Sequence, residues 1–136
     1  MAEISDLAVL DANNTGRFPD GMPVTSVNDS ARALEGLLAR WSKDINGSII
    51  TGGTATAYTI TSNRSITSLA VGIVLIVRAG LANTGAATLS LNGLTAKPLV
   101  RQNGGALVSG DILQHQILHI VYNASTDKFH CIGILA

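Results

Sequence analysis

Apolar residues recur with the period of a helix in the first third of the chain and with the period of a strand in the rest. Val27, Ala31, Leu34, Leu38, Trp41 and Ile45 follow one another at spacings of four, three, four, three and four, the a/d seam of a heptad repeat. The pattern predicts a helix over 27–46. Ser26 is its candidate N-cap, with Asp29 three residues on as capping-box partner, and Gly47 after Asn46 is the stop. At a helical rise of 1.5 Å per residue the seam runs for about 30 Å. It covers fewer than three full heptads, so self-association and packing on the chain's own sheet fit it equally well. Leu37 flanks the seam and widens its apolar face, and Trp41 takes a core role by default. Asp29 with Arg32 and Arg40 with Asp44 have the spacing of solvated helix pairs, each contributing a few tenths of a kcal/mol.

From Ser48 onward the period changes to two and turn residues multiply. Strands are predicted over 48–51, 54–61, 71–79, 86–91, 97–102, 111–122 and 128–135. Gly52-Gly53, Ser62-Asn63, Asn83-Thr-Gly85, Asn92-Gly93, Asn103-Gly104-Gly105 and 123–127 separate them. Short strands with no helix between them predict an antiparallel β-sandwich or barrel-like domain. Ahead of the helix, residues 1–25 form an extended arm. Its apolar anchors are Ile4, Leu7, Val9 and Leu10, and the run 13–23, which includes Phe18, is too rich in Gly and Pro for regular structure. Such an arm lies on another subunit or frays as a free terminus; composition does not separate the two. The chain as a whole is expected to be α+β, organised as arm 1–25, amphipathic helix 26–47 and antiparallel β domain 48–136.

Composition narrows the partners. With 136 residues the chain fits one domain and a short appendage, and charged residues make up only 13%. The longest apolar run, Leu69 to Val77, falls far short of the roughly 20 residues of a membrane span, and residues 1–6 lack the basic and apolar regions of a signal peptide. Neither membrane insertion nor secretion is expected. Low charge combined with high apolarity points to a surface partly covered by other subunits. Net charge is zero, yet residues 1–46 carry seven acids against four bases and residues 47–136 two acids against five bases, a change at the domain boundary. Neither part has the clustered basic excess of a nucleic-acid binder, so DNA and RNA are not expected partners. The single Cys131 has no internal disulfide partner and reads as a small core residue.

Little in the chain suggests catalysis. Carboxylate chemistry needs two acids in one cleft, and the β domain offers only Asp111 and Asp127, both in turn contexts. His115 and His119 would share one face of a strand about 13 Å apart, too far for one metal ion. A metal would then require a third ligand such as His130, or copies of one His converging on a threefold axis. Nucleophile elbows and phosphate-cradling loops are missing, and five aromatic residues (Phe18, Trp41, Tyr58, Tyr122, Phe129) make an exposed stacking platform hard to build. The expectation is a protein with no catalytic residues, no cofactor and no metal.

The ordered set Phe18-Pro-Asp-Gly-Met-Pro23, Val27-Asn-Asp-Ser-Ala-Arg-Ala33, Leu38-Ala-Arg-Trp41 and Asp44-Ile-Asn-Gly47 resembles tail-fibre and related tail proteins of tailed bacteriophages and prophages. The likeness continues in Thr51-Gly-Gly-Thr-Ala-Thr-Ala-Tyr-Thr59, Ala82-Asn-Thr-Gly-Ala-Ala-Thr-Leu89, Asn92-Gly-Leu94, Lys97-Pro98 and the 122–129 hairpin. This resemblance implies a homotrimeric, non-enzymatic virion component, made in the bacterial host cytoplasm and carried in the phage tail. It assigns the arm (Ile4, Leu7, Leu10, Phe18) to attachment, the seam Val27, Ala31, Leu34, Leu38, Trp41 and Ile45 to a trimeric helical stalk, and the β domain to connection. Partners would be the chain itself, other tail, baseplate or fibre proteins, and in one alternative the host surface. The sequence ends at Ala136, soon after the first β domain, which favours an adaptor over a long receptor-binding fibre. A host-binding short tail fibre and a capsid decoration or head fibre are the alternatives.

Overall fold

The computed structural model describes residues 18–133. In chain order they form one helix, α1 (Val24–Asp44), and seven strands: β1 (Gly52–Gly53), β2 (Ala57–Ile60), β3 (Val74–Arg78), β4 (Ala87–Leu91), β5 (Lys97–Val100), β6 (Ile117–Asn123) and β7 (Lys128–Ile132). The fold is thus mostly β with a single helix.

Helix α1 starts at Val24, not Val27, and its cap differs from the Ser26/Asp29 box. Pro23 is the N-cap residue at φ −57° and ψ 139°, with no side-chain capping bond. Proline disfavours helical backbone at the residue before it, so the helix does not extend further back and begins directly after Pro23. Ser26 consequently lies in the first turn, donating its backbone N–H to the Pro23 carbonyl at 2.9 Å, and Asp29 falls beyond that turn. The other end matches the sequence more closely. Ile45 is the C-cap, Gly47 adopts φ +79°, and the Gly47 N–H then donates to the Ile76 carbonyl of β3 at 3.0 Å.

All seven strands belong to one sheet in the order β1-β2-β4-β5-β7-β6-β3. The expected all-antiparallel arrangement does not hold: β2 runs parallel to β4, and β5 parallel to β7. Chain order explains both. β3 leaves β2 for the far end of the sheet, so β4 returns beside β2 in the same direction, while β7 inserts between β5 and β6. Residues 47–53 hydrogen-bond to both ends of the sheet. The Ile49 carbonyl accepts the Arg78 N–H at 2.8 Å, the Thr51 N–H donates to the Arg78 carbonyl at 2.9 Å, and the next two residues pair with β2 as β1. Gly52-Gly53, expected as a turn, is therefore a short strand. Gly80 permits the approach: a Cβ there would stand 2.3 Å from the Thr51 carbonyl oxygen.

Alternation sorts the strands into an inner and an outer face. β2, β4 and β6 bury every second residue, and Tyr58, Ile60, Leu75, Val77, Leu89, Leu91, Leu118, Ile120, Phe129 and Cys131 share the core. Tyr122 and Phe129 pack with ring centroids 5.3 Å apart and planes inclined by 56°. The strand predicted over 111–122 starts only at Ile117. Residues 108–116 turn twice, closing Asp111 N–H to Val108 O and Gln116 N–H to Leu113 O, and His115 sits at φ +69°. Buried Asn83 ties this connection down. Its amide donates to the Gly85 and Val108 carbonyls and accepts the Ile112 N–H, so every polar atom of the side chain is bonded.

Candidate functional site

The chain's own sheet leaves half of the heptad seam exposed. Val27 is 42% exposed, Leu38 48% and Trp41 40%, while Ala31, Leu34 and Ile45 are half-buried. Trp41 accordingly has no core role in the single chain. Only Leu37 and Asp44 of α1 are buried, and the helix meets the sheet mainly at β3. Phe18, the one proposed arm anchor within the described residues, is 42% exposed. Ile4, Leu7 and Leu10 lie outside them.

The apolar surface continues below the helix. A Cβ on Gly47 would lie 3.5 Å from the Ile117 Cδ1, so the helix exit abuts β6. There Ile117 (57% exposed), Ile50 (53%) and Ile132 (36%) are uncovered on the outer face around exposed His119. Arg78, opposite Ile117, holds a buried Nε with no hydrogen-bond partner among the described residues.

Asp44 is not the solvated partner of Arg40 that the helix spacing suggested. Its side chain is fully buried and accepts four hydrogen bonds from the loop after β2: the Asn63 N–H at 2.7 Å and Nδ2 at 3.0 Å on Oδ1, the Arg64 Nε at 2.8 Å and N–H at 3.3 Å on Oδ2. Asp29 and Arg32 do form an exposed pair, at 3.5 Å.

The two acids of the β domain are each locked to a cation and do not converge. Asp111 takes a bidentate grip from Arg101, 2.8 Å on each oxygen, and also accepts the Val108 N–H at 2.8 Å. Hydrogen bonding from Arg101, then from that backbone N–H, holds its carboxyl below the ordinary range. Asp127, in a left-handed turn at φ +55°, accepts Lys97 Nζ and Tyr122 Oη, each at 2.6 Å. Lys97 first and Tyr122 second lower its pKa, and the bond to Asp127 raises that of Tyr122. This trio borders an open cleft of about 390 Å3. Sequence alone places Tyr122 and Asp127 at neighbouring strand ends across a hairpin turn; Lys97, thirty residues away, carries no local signal of its role.

His115 precedes β6 and therefore does not share a strand face with His119. Among the described residues no three His, Cys, Asp or Glu side chains are arranged to hold a metal ion, and no helix is long and apolar enough to cross a membrane. Cys131 is 1% exposed, and burial, with a smaller push from the Asp111 charge, raises its thiol to about 12. No protein-family model matches the chain, and no curated protein matches its sequence.

Proposed function

We propose that the chain is a subunit of a homotrimeric structural component of a tailed-phage virion, an adaptor in a tail fibre or baseplate, and that it acts through its interfaces with no catalytic chemistry. The observation that carries this is the seam from Val27 to Ile45, which has heptad spacing and of which Val27, Leu38 and Trp41 stay exposed, because the only helix residues fully buried in the chain are Leu37 and Asp44. A heptad seam is self-complementary, and copies of the same helix are the partner that fits it. Covering a half-exposed Leu or Val, as at Val27 and Leu38, contributes about 1 kcal/mol in each copy, half the value for full burial. The uncovered Ile50, Ile117 and Ile132 beside the helix exit extend the contact onto the β domain.

In this reading the arm docks on the tail, α1 forms the stalk, and the β domain, closed barrel-like by residues 47–53, holds the next protein. The sequence resemblance supplies the phage context, and location in the virion follows from it. Sedimentation equilibrium at micromolar concentration tests the stalk: a trimer mass is expected, falling to monomer in Leu34→Asp and Leu38→Asp. A monomeric wild type, or a mass unchanged by both substitutions, overturns it. Immunogold labelling of virions distinguishes tail from head.

A further inference from the structure

Three segments wall the cleft beside Asp127: residues 67–69, the β4–β5 turn, and the β6–β7 hairpin. One side chain ties two of these walls together. Asn92 accepts the Ser62 N–H at 2.8 Å and donates to the Ile66 carbonyl at 3.2 Å, while its own backbone, at φ +51°, starts the tight turn with Gly93. The third wall is fixed by the Lys97–Asp127–Tyr122 contacts. The cleft is thus set in shape before any ligand arrives, which lowers the ordering cost of binding.

The lining selects the ligand. Lys97 and Asp127 already neutralise one another, so an anion has to displace Asp127 from Lys97 and a cation has to displace Lys97 from Asp127. A neutral vicinal diol avoids both costs: one hydroxyl donates to the Asp127 carboxylate and its neighbour accepts from the Lys97 ammonium. Thr67, Ser68 and Thr95 line the same cleft and their side chains make no hydrogen bond to the protein among the described residues, so their hydroxyls remain available to a ligand. Leu69 and Leu94, both half-buried, supply the apolar surface that the C–H face of a sugar ring requires.

We propose that this cleft binds one neutral pyranose unit, with Asp127 and Lys97 gripping adjacent ring hydroxyls and Leu69 and Leu94 carrying the ring's apolar face. The site lies within one chain and stands whether or not the helices trimerise. The test is amide NMR titration of the full-length 15N-labelled protein with methyl α-D-glucopyranoside, methyl α-D-galactopyranoside, methyl α-D-mannopyranoside and N-acetylglucosamine, with sodium phosphate and sodium acetate as controls. Saturable shifts at Thr95, Lys97 and Asp127 with at least one sugar are expected, weakened about tenfold or more in Asp127→Asn and Lys97→Met. Thr95→Val, which leaves the ion pair intact, is expected to weaken binding as well and keeps the test decisive if the other variants do not fold. Lys128→Met, outside the cleft, is expected to bind like wild type. Tighter binding of a trisaccharide than of its monosaccharide assigns the site to a polymeric glycan, and equal binding to a free sugar; either supports the cleft. The absence of shifts with every sugar throughout the millimolar range overturns the proposal. So do equal shifts with phosphate or acetate, or sugar binding that all three cleft variants retain.

Discussion

Asp44, the last residue of the helix, and Arg64, in the loop after β2, form a buried ion pair with Nε to Oδ2 at 2.8 Å. Arg64 also donates to the Val74 carbonyl at 3.2 Å, so one guanidinium joins the helix end, the loop and β3. Carboxylate and guanidinium are both removed from water, and each is tolerated only because the other is present. The pair thereby fixes the point from which the seam of α1 leaves the sheet.

Removing one partner leaves a buried charge unmatched. Asp44→Ala is expected to destabilise the protein by about 3–5 kcal/mol in urea unfolding, and Arg64→Met by a similar amount. The double variant Asp44→Ala/Arg64→Met is expected to lose clearly less than the sum, since no lone charge remains. Additive losses would show that the two residues act independently.

The junction of the sheet's two ends depends on Gly80. Gly80→Ala sets a methyl 2.3 Å from the Thr51 carbonyl oxygen and displaces a chain segment held by the Gly80 N–H to Thr51 Oγ1 bond at 2.9 Å. A loss of about 1–3 kcal/mol is expected. Gly85→Ala, where nothing lies within 4 Å of the added Cβ, is the matched control and is expected to change stability by less than about 0.5 kcal/mol. Equal thermal shifts for the two variants would remove Gly80's steric role.

Acid is expected to weaken the fold through Asp111 and Asp127. Both have folded-state pKa values below the ordinary carboxylate value near 4, so their stabilisation is fully present above that pH and is lost as pH falls through the lowered values. Unfolding midpoints measured from pH 7 down to pH 2 should decline below about pH 4. Asp111→Asn/Asp127→Asn should start less stable at neutral pH and show a shallower acid decline; an unchanged decline would place the acid sensitivity elsewhere.

Cys131 is expected to be chemically silent in the folded protein. A thiol raised to about 12 and 1% exposed holds almost no thiolate at pH 8. Reaction with an aromatic disulfide reagent should follow global unfolding, with a rate that rises with urea; prompt stoichiometric reaction in native buffer would contradict this.

Much of the fold was legible locally. The helix, its stop near Gly47 and the burial of Cys131 follow from periodicity and turn chemistry acting over a few residues. The inner and outer faces of most strands and the tight turn at Asn92-Gly93 follow in the same way. The capping box at Ser26 misled because the helix already begins after Pro23, three residues earlier, which keeps the preceding backbone out of the helix.

Partners far apart in sequence were decided only in three dimensions. Lys97 reaches Asp127 because β5 runs parallel beside β7, and Arg101 reaches Asp111 because the 101–116 connection folds back on itself. Asp44 and Arg40 have the spacing of an exposed helix pair, yet the loop carrying Asn63 and Arg64 closes over Asp44 and buries it. The seam poses the same problem from the other side, for heptad spacing states that α1 has an apolar face without stating what covers it. Periodicity is a property of neighbouring residues and is written in their order. Strand pairing and burial depend on which distant segments meet, and many pairings satisfy the same local pattern.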